Sequence, residues 1–408
     1  MGYTKETISG ISWAGMLRIT TRGLSLGRIS ILARIFTPSE FGLYGIASLA
    51  LSLLEIVAET GINVFLIQEK SSIKNYINTA WIVSIIRGFF ISLIIFLLSP
   101  FVAQFFIAPE SLYLLFLISI VPFIRGFINP AIVLYQKDLK FKNEFYFRVF
   151  VVLVESITIV LVAITVGSIS SIIIGLIIGA LLEVVLSFVV IETRPIFKFE
   201  NKHFREILYR GKWITMAGVF NYLFHNIDDI FVGKILGKTS LGLYQVAYKI
   251  SIFPITEISD VVSKVTFPVY VKIAQDRERL RIAFLKSIGL VSVSSVLFGI
   301  VLIGFTEEVV LLFLGEKWLE VVPFLKILTL FGIVRGISGS TSALFLAVKK
   351  QKYVSAVTFI SFIVLVIIVA PFIKLLGLVG ASIACLIASI VSLPVIAYYT
   401  LKVLYAKS

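Results

Sequence analysis

The sequence predicts an all-α integral membrane protein with about twelve transmembrane helices, in two pseudo-symmetric six-helix lobes around a central cavity. Three observations predict this fold. The chain is 59% hydrophobic and 15% charged, with a mean hydropathy of +1.04, whereas soluble chains average about 25% charged residues. Twelve apolar segments follow one another, close to the roughly 20 residues that cross a bilayer. The two halves of the chain also resemble each other.

The twelve apolar segments are separated by clusters of Gly, Pro, Ser and Lys, which are typical of loops. Their predicted spans are 11–35, 41–66, 78–100, 112–135, 145–167, 170–191, 213–234, 241–266, 285–305, 319–347, 353–371 and 378–401. The first ten residues lead into segment one without a small-residue cleavage pattern, so we expect a retained first helix.

The charges in the loops predict the topology. If the N-terminus is cytoplasmic, the inner loops carry 21 lysines and arginines and the outer loops carry 4. This asymmetry follows the positive-inside rule, and an even number of spans places both termini in the cytoplasm. We therefore expect a multi-pass protein of the inner or plasma membrane. The loops account for most of the net charge of +14, so no nucleic-acid partner is expected.

The longest polar connection divides the chain into two predicted lobes, residues 1–191 and 213–408. The connector, residues 192–212, mixes basic and aromatic residues. That mixture fits a helix at the inner membrane surface, and a plain linker between the halves is the alternative.

An internal repeat relates the two halves. At an offset of 200, residues 33–36 and 41–44 align with residues 233–236 and 241–244, and at an offset of 210 Arg125-Gly126 aligns with Arg335-Gly336. Because each predicted half has an even number of spans, the repeats are parallel, with an axis along the membrane normal. Two similar bundles with a cleft between them predict an alternating-access transporter.

Arginines within apolar segments are the strongest functional signal. Segment one carries Arg18, Arg22, Arg28 and Arg34, although an arginine at a helix centre costs about 2.5–3.5 kcal/mol to insert. Arg18 and Arg22 are one turn apart on one face, and Arg28 lies roughly 80° from that face. We expect this helix to line a cationic cavity, while Arg34 adjoins the outer turn and can act as its anchor.

Deep arginines recur in later segments and indicate an anionic substrate. The planar guanidinium forms two charged hydrogen bonds to a phosphate at once. The alternative is structural pairing with Glu55 or Glu59 to lock the bundle. The predicted substrate-binding residues are Arg18, Arg22, Arg28, Arg87, Arg125 and Arg335.

Segment seven carries the acidic candidates, Asp228 and Asp229, beside Asn226. A carboxylate in hydrocarbon pairs with a cation or carries a proton or Na⁺. We therefore predict ion coupling at Asp228 and Asp229, with a salt bridge or polar clasp between the halves as the alternative. His225 fits a polar packing role, and the single Cys385 fits small-residue packing in the last helix.

Catalytic motifs are absent from the sequence. There is no P-loop, HExxH, GxSxG or Cys/His cluster. Each of these motifs would indicate a particular kind of catalysis or metal binding. We expect no enzyme activity, no metal site and no cofactor, with an H⁺ or Na⁺ gradient as the energy source.

The outer turn at residues 32–43, LARIFTPSEFGL, resembles the corresponding turn of Wzx-like polysaccharide flippases. These form the polysaccharide-transport branch of the multidrug/oligosaccharidyl-lipid/polysaccharide superfamily. Similar stretches follow at 61–68 (GINVFLIQ), 134–141 (LYQKDLKF), 226–244 (NIDDIFVGKILGKTSLGLY) and 314–318 (LGEKW). The resemblance covers almost the whole chain, although several members of the family have fourteen helices.

The resemblance implies two six-helix lobes in a V around a cavity. It implies transfer of undecaprenyl-diphosphate-linked oligosaccharide repeat units from the inner to the outer leaflet, for O-antigen, capsule or exopolysaccharide synthesis. The partners implied are the lipid-linked oligosaccharide, membrane lipid and the polysaccharide polymerase machinery.

Three other functions compete with this one. A multidrug antiporter of the same superfamily would favour acidic or aromatic walls, and the arginines of segment one argue against it. A lipid II flippase also carries an anion, but the turn motifs fit the polysaccharide branch better. A membrane scaffold without transport is disfavoured by the repeat and the deep charges.

Overall fold

The computed structural model of the chain describes residues 2–57, 62, 66–67 and 74–405. Within these ranges, only the backbone is described for residues 2–11, 57, 74–75, 205–217, 219–221 and 253. Within these ranges all regular secondary structure is helical. The predicted all-α membrane fold is therefore confirmed.

The chain forms two compact units, Met1–Asn226 and Ile227–Ser408. The helices of the first unit are α1 (Gly2–Ile35), α2 (Pro38–Val57), α3 (Lys74–Phe105), α4 (Ser111–Ile118), α5 (Ile120–Gly126), α6 (Leu134–Lys137), α7 (Phe141–Val166) and α8 (Ser170–Val190). The long helix α9 (Asn201–Lys272) continues into the second unit. There it is followed by α10 (Arg277–Gly304), α11 (Thr306–Phe313), α12 (Val322–Ala347) and α13 (Gln351–Tyr405).

Two glycines break the longest helices. Gly237 interrupts α9 with φ 84° and ψ −179°, and Gly377 interrupts α13 with φ 61° and ψ −136°. Glycine adopts such positive φ values without the steric cost that a Cβ atom brings. Each break lies in a predicted loop, so α9 contains predicted segments seven and eight, and α13 contains segments eleven and twelve.

Length and composition support membrane spans throughout. Seven helices of the described ranges are long and apolar enough to cross a bilayer, or eight if the bent pair in segment four is one span. The helices α1 and α9 are not among these seven. Large apolar side chains such as Phe101, Leu297 and Ile367 are exposed, as expected for helices that face lipid. The end of predicted segment two, beyond Val57, lies largely outside the described residues.

Segment four is bent rather than continuous. The stretch Ser111–Gly126 meets Pro130–Lys137 at 73°. Pro130 has no N–H to continue a helical ladder, and buried Asn129 stabilises the corner. Its side-chain oxygen accepts from Ala131 N at 3.0 Å, and its amide donates to Thr193 O at 2.8 Å.

A capping box begins α2. Thr37 N and Thr37 Oγ1 both donate to Glu40 Oε2 at 2.8 Å, and Glu40 N donates back to Thr37 Oγ1 at 3.4 Å. Pro38 occupies the first helical position, where a missing N–H costs nothing. Residues 37–40 (TPSE) of the outer turn thus form the N-terminus of α2.

Helix packing inside each unit depends on small residues. In the first unit α1 packs on α7, α7 on α8, and α3 on α5. A Cβ atom added to Gly88 of α3 would lie 2.4 Å from Pro122 O, and one added to Gly126 of α5 would lie 2.9 Å from Ser84 O. The two backbones are therefore in direct contact where these glycines meet. In the second unit α12 packs on α10 and α13.

Candidate functional site

The α1–α7 contact brings Arg28 and Glu155 together. Arg28 Nη1 donates to Glu155 Oε1 at 2.6 Å, and the side chains are only 16% and 13% exposed. A Cβ atom at Gly179 of α8 would lie 3.0 Å from Glu155 Oε2, so the carboxylate is closely packed. Removing either partner would leave a poorly solvated charge. Arg28, predicted to bind substrate, is thus held by an acid other than the two that the sequence suggested.

A second ion pair joins α5 to α2. Arg125 Nη1 lies 3.3 Å from Glu55 Oε1, and the side chains are 35% and 33% exposed. This pairing corresponds to the structural alternative considered for the deep arginines. Glu59, the other acid considered, lies outside the described residues.

A cavity of about 270 Å³ opens beside the Arg125–Glu55 pair, within the first unit. It is lined by Glu55, Ile56, Arg87, Gly88, Ile91, Pro122 and Arg125. The structure therefore brings two of the predicted substrate-binding arginines, from α3 and α5, to one cavity. Tyr44 of α2 interacts electrostatically with Arg28, Glu155 and Arg125, which joins the two ion pairs into one polar region.

Arg18 and Arg22 lie on α1, both partly buried. They are one turn apart, as the i, i+4 spacing requires. Both belong to the same helix as Arg28, so α1 presents three of the six predicted arginines within the first unit.

The two aspartates of segment seven belong to the second unit, and Asp228 is buried there. Its Oδ2 accepts from the Tyr244 hydroxyl at 2.9 Å and from Cys385 Sγ at 3.4 Å. Tyr244 and Cys385 are themselves 3.4 Å apart. Both halves of α9 and the C-terminal part of α13 thus meet at this carboxylate.

Asp229 has a different environment from its neighbour. Gln245 Nε2 donates to Asp229 Oδ2 at 3.1 Å, and Lys249 interacts with the carboxylate electrostatically. The second oxygen, Oδ1, is buried and makes no hydrogen bond with the described part of the chain. A buried oxygen without a donor is costly, by about 1–3 kcal/mol, and a proton or small cation would relieve that cost.

Arg335 lies in this second cluster rather than in the first unit. It donates to the Tyr248 hydroxyl, and its guanidinium lies 5.7 Å from the centroid of the Phe331 ring. Tyr248 interacts electrostatically with Arg335, Asp228 and Asp229. A positive charge is therefore placed near the two predicted ion-coupling residues.

Sequence reasoning missed the partners of the aspartates, Tyr244 and Gln245, and the partner of Arg335, Tyr248. A usable signal was present. Asp229 and Gln245 each lie eight residues from the break at Gly237, and residues equidistant from a break meet when the two helices fold back antiparallel. Cys385, predicted to pack as a small residue, is buried in α13 and also contacts Asp228.

Comparison with known sequences gives a family and a relative. Residues 31–323 match the family described as "Polysaccharide biosynthesis protein". Lipopolysaccharide biosynthesis protein WzxC of Escherichia coli (strain K12) is 25% identical over 352 residues, which cover 85% of this chain and 71% of WzxC.

Comparison with solved structures identifies the fold. Lipid II flippase MurJ, in an inward closed conformation, superposes with a TM-score of 0.81 at 18% identity, covering 97% of this chain and 90% of that one. An inward-facing multidrug resistance MATE family transporter of the MOP superfamily gives 0.70 at 15% identity, with 95% and 96% covered. The chain therefore shares its fold with these two proteins.

Proposed function

We propose, from the premise that this chain belongs to the polysaccharide biosynthesis protein family, that it flips undecaprenyl-diphosphate-linked oligosaccharide units from the inner to the outer leaflet. The movement would occur by alternating access and would serve surface polysaccharide synthesis. The resemblance to Wzx-like flippases is confirmed by the family match and by the likeness to WzxC. Family and fold together point to a membrane transporter.

The observation that carries the proposal is the set of arginines within the helices of the first unit. The isoprenoid tail of such a substrate can remain in lipid while its diphosphate and sugars cross. A diphosphate is prohibitively costly to bury without compensating charge. Arginines provide that charge and bind phosphate oxygens in pairs.

The energy source that we propose is an H⁺ or Na⁺ gradient used through Asp228 and Asp229. The buried Oδ1 of Asp229, which accepts no hydrogen bond from the described residues, supports this assignment. Membrane lipid and the polysaccharide polymerase machinery would be the other partners of the protein.

The experiment that tests the function is complementation of a bacterial strain that lacks its own flippase. We expect surface polysaccharide to be restored, and the lipid-linked glycan that accumulates without the protein identifies the substrate. The Arg18→Ala plus Arg22→Ala variant should insert normally but abolish export, because two charges that compensate the diphosphate are removed.

Arg34→Ala is the matched control for the double variant. It removes the same charge from the same helix, at the exposed end beside the outer turn, so export should be retained. Normal export by the Arg18/Arg22 double variant would refute the cationic route for the diphosphate.

The main competing function is multidrug export, since a MATE transporter shares the fold. Its substrates would be cationic, and the arginines of α1, α3 and α5 would repel them. Increased drug resistance without restored polysaccharide would favour this alternative. Rescue of a strain depleted of its lipid II flippase would favour lipid II transport as the function instead.

A further inference from the structure

The first unit contains two arginine–glutamate pairs that differ in how firmly they are held. Arg28–Glu155 is short, at 2.6 Å, and is packed against Gly179. Arg125–Glu55 is longer, at 3.3 Å, and twice as exposed. Ion pairs that solvent reaches contribute only about 0–1 kcal/mol. Because the second pair is longer and more exposed, it separates at a lower cost than the first.

The looser pair borders a cavity. Among the described residues that line it, the charged ones are Arg87, Arg125 and Glu55. Arg125 Nε is buried and makes no hydrogen bond among the described residues. The guanidinium thus has unused donor capacity even while Glu55 contacts its Nη1.

Backbone packing fixes the points from which both arginine side chains extend. Arg87 and Arg125 each precede a glycine of the α3–α5 crossing, where no Cβ atom fits at Gly88 or Gly126 without displacing backbone. The two arginines therefore start from backbones in contact and reach one cavity. Binding of an anion there therefore costs little free energy for bringing the two arginines together.

We infer that Glu55 is an internal counter-ion that occupies Arg125 until a phosphoryl group of the substrate replaces it. The inference rests on the proposed function and adds to it the group recognised at this cavity. At about 270 Å³, the cavity is at or below the lower end of small-ligand sites, roughly 300–1,000 Å³. It can hold a phosphoryl group and excludes an oligosaccharide.

The exchange balances the charges in both states. Without ligand, Glu55 neutralises Arg125. With ligand, phosphoryl oxygens take the place of Glu55 at Nη1 of Arg125, and the unused Nε–H on the other edge of the guanidinium remains a further donor. Glu55, one-third exposed, then turns away from Arg125. Release of product restores the original pair, so Arg125 has an anion beside it in both states.

The test is direct binding to purified full-length protein in detergent, with inorganic diphosphate and farnesyl diphosphate as probes. Glu55→Gln should bind both probes more tightly by about fivefold, the factor that corresponds to ~1 kcal/mol for an exposed pair. Arg125→Gln should lose the binding. A gain with farnesyl diphosphate alone assigns the site to the lipid headgroup, and a gain with both assigns it to the phosphoryl group itself.

The matched control is Glu183→Gln. Glu183 lies 3.9 Å from Arg148 in the same unit and is not among the residues that line the cavity. This variant removes the same charge from the same unit, so its affinity for either probe should stay at the parent value. Unchanged or weaker binding of both probes by Glu55→Gln would overturn the inference.

A measurement on the unmodified protein keeps the inference testable if Glu55→Gln does not fold. Carbodiimide labelling of Glu55, read by mass spectrometry, should increase when diphosphate is added, because the carboxylate leaves its arginine. Labelling that does not increase rejects the exchange. Diphosphate binding without rescue of the flippase-deficient strain would refute the proposed function and leave the anion site standing.

Discussion

Neighbouring aspartates of α9 differ at the scale of single atoms. Asp228 Oδ2 accepts from Tyr244 and Cys385, whereas Asp229 keeps one buried oxygen without a donor among the described residues. The sequence could only propose both as equals, because adjacency in the chain says nothing about which partners reach each carboxylate. Their environments indicate that Asp229 is the better candidate for holding the coupling ion and that Asp228 shapes the cluster.

We predict that Asp228→Asn and Asp229→Asn each remove the dependence of export on the ion gradient, Asp229→Asn the more completely. An amide neither carries a proton nor attracts a cation, so the gradient no longer acts on the cluster. Surface polysaccharide should be measured in cells with and without an ionophore, with Asp260→Asn as a control on the same helix. If collapse of the gradient affects Asp229→Asn and parent equally, Asp229 is not the coupling residue.

At the scale of elements, glycines decide which helices touch. Gly126 of the Arg125-Gly126 pair packs on α3, and Gly336 of the Arg335-Gly336 pair packs on Ile255 of α9. In both units the residue after the arginine is therefore at a helix contact. The repeat aligned the two Arg-Gly pairs in the sequence, but neither the repeat nor helix periodicity could identify the opposing helix.

We predict that Gly88→Ala lowers the apparent melting temperature of the detergent-solubilised protein. The added Cβ atom would lie 2.4 Å from Pro122 O, and overpacking of this kind costs about 1–3 kcal/mol. Gly289→Ala is the control, since a Cβ atom there meets nothing within 4 Å and alanine favours a helix. Equal melting temperatures for the two variants would show that the α3–α5 contact accommodates the added Cβ atom without loss of stability.

Segment four shows where an element could not be predicted from its composition. The apolar run 112–135 indicated one span, yet the chain bends by 73° before residue 130. The corner depends on Asn129, whose partners Ser187 and Thr193 lie 58 and 64 residues further along. A corner stabilised by distant residues has no local signature beyond the Asn-Pro dipeptide.

At the scale of the whole molecule, the distribution of charge predicts how the chain lies in the membrane. The loops predicted on the inner side hold 21 cations, and those predicted on the outer side hold 4. Two exposed lysines, Lys142 and Lys374, belong to loops on opposite sides under this topology. The only cysteine in the sequence is Cys385, which is buried, so the parent protein should resist thiol reagents.

We predict that Lys374→Cys is labelled by a membrane-impermeant maleimide in intact cells, whereas Lys142→Cys is labelled only after the inner membrane is opened. The reason is that lysine-rich loops stay on the cytoplasmic side. The parent protein, in which Cys385 is the only cysteine, is the control for background labelling. Labelling of Lys142→Cys in intact cells would contradict the predicted topology and indicate that both termini lie outside.

The sequence by itself determined the membrane class, the twelve segments and the family, because these depend on apolar length, charge bias and short motifs that are local in the chain. It also named the arginines and aspartates that are unusual in hydrocarbon. Only the tertiary structure decided which partner each one meets: Glu155 for Arg28, Glu55 for Arg125, and Tyr244 for Asp228. Those choices depend on helix crossings and on the breaks at Gly237 and Asn129, which place side chains in contact across the fold.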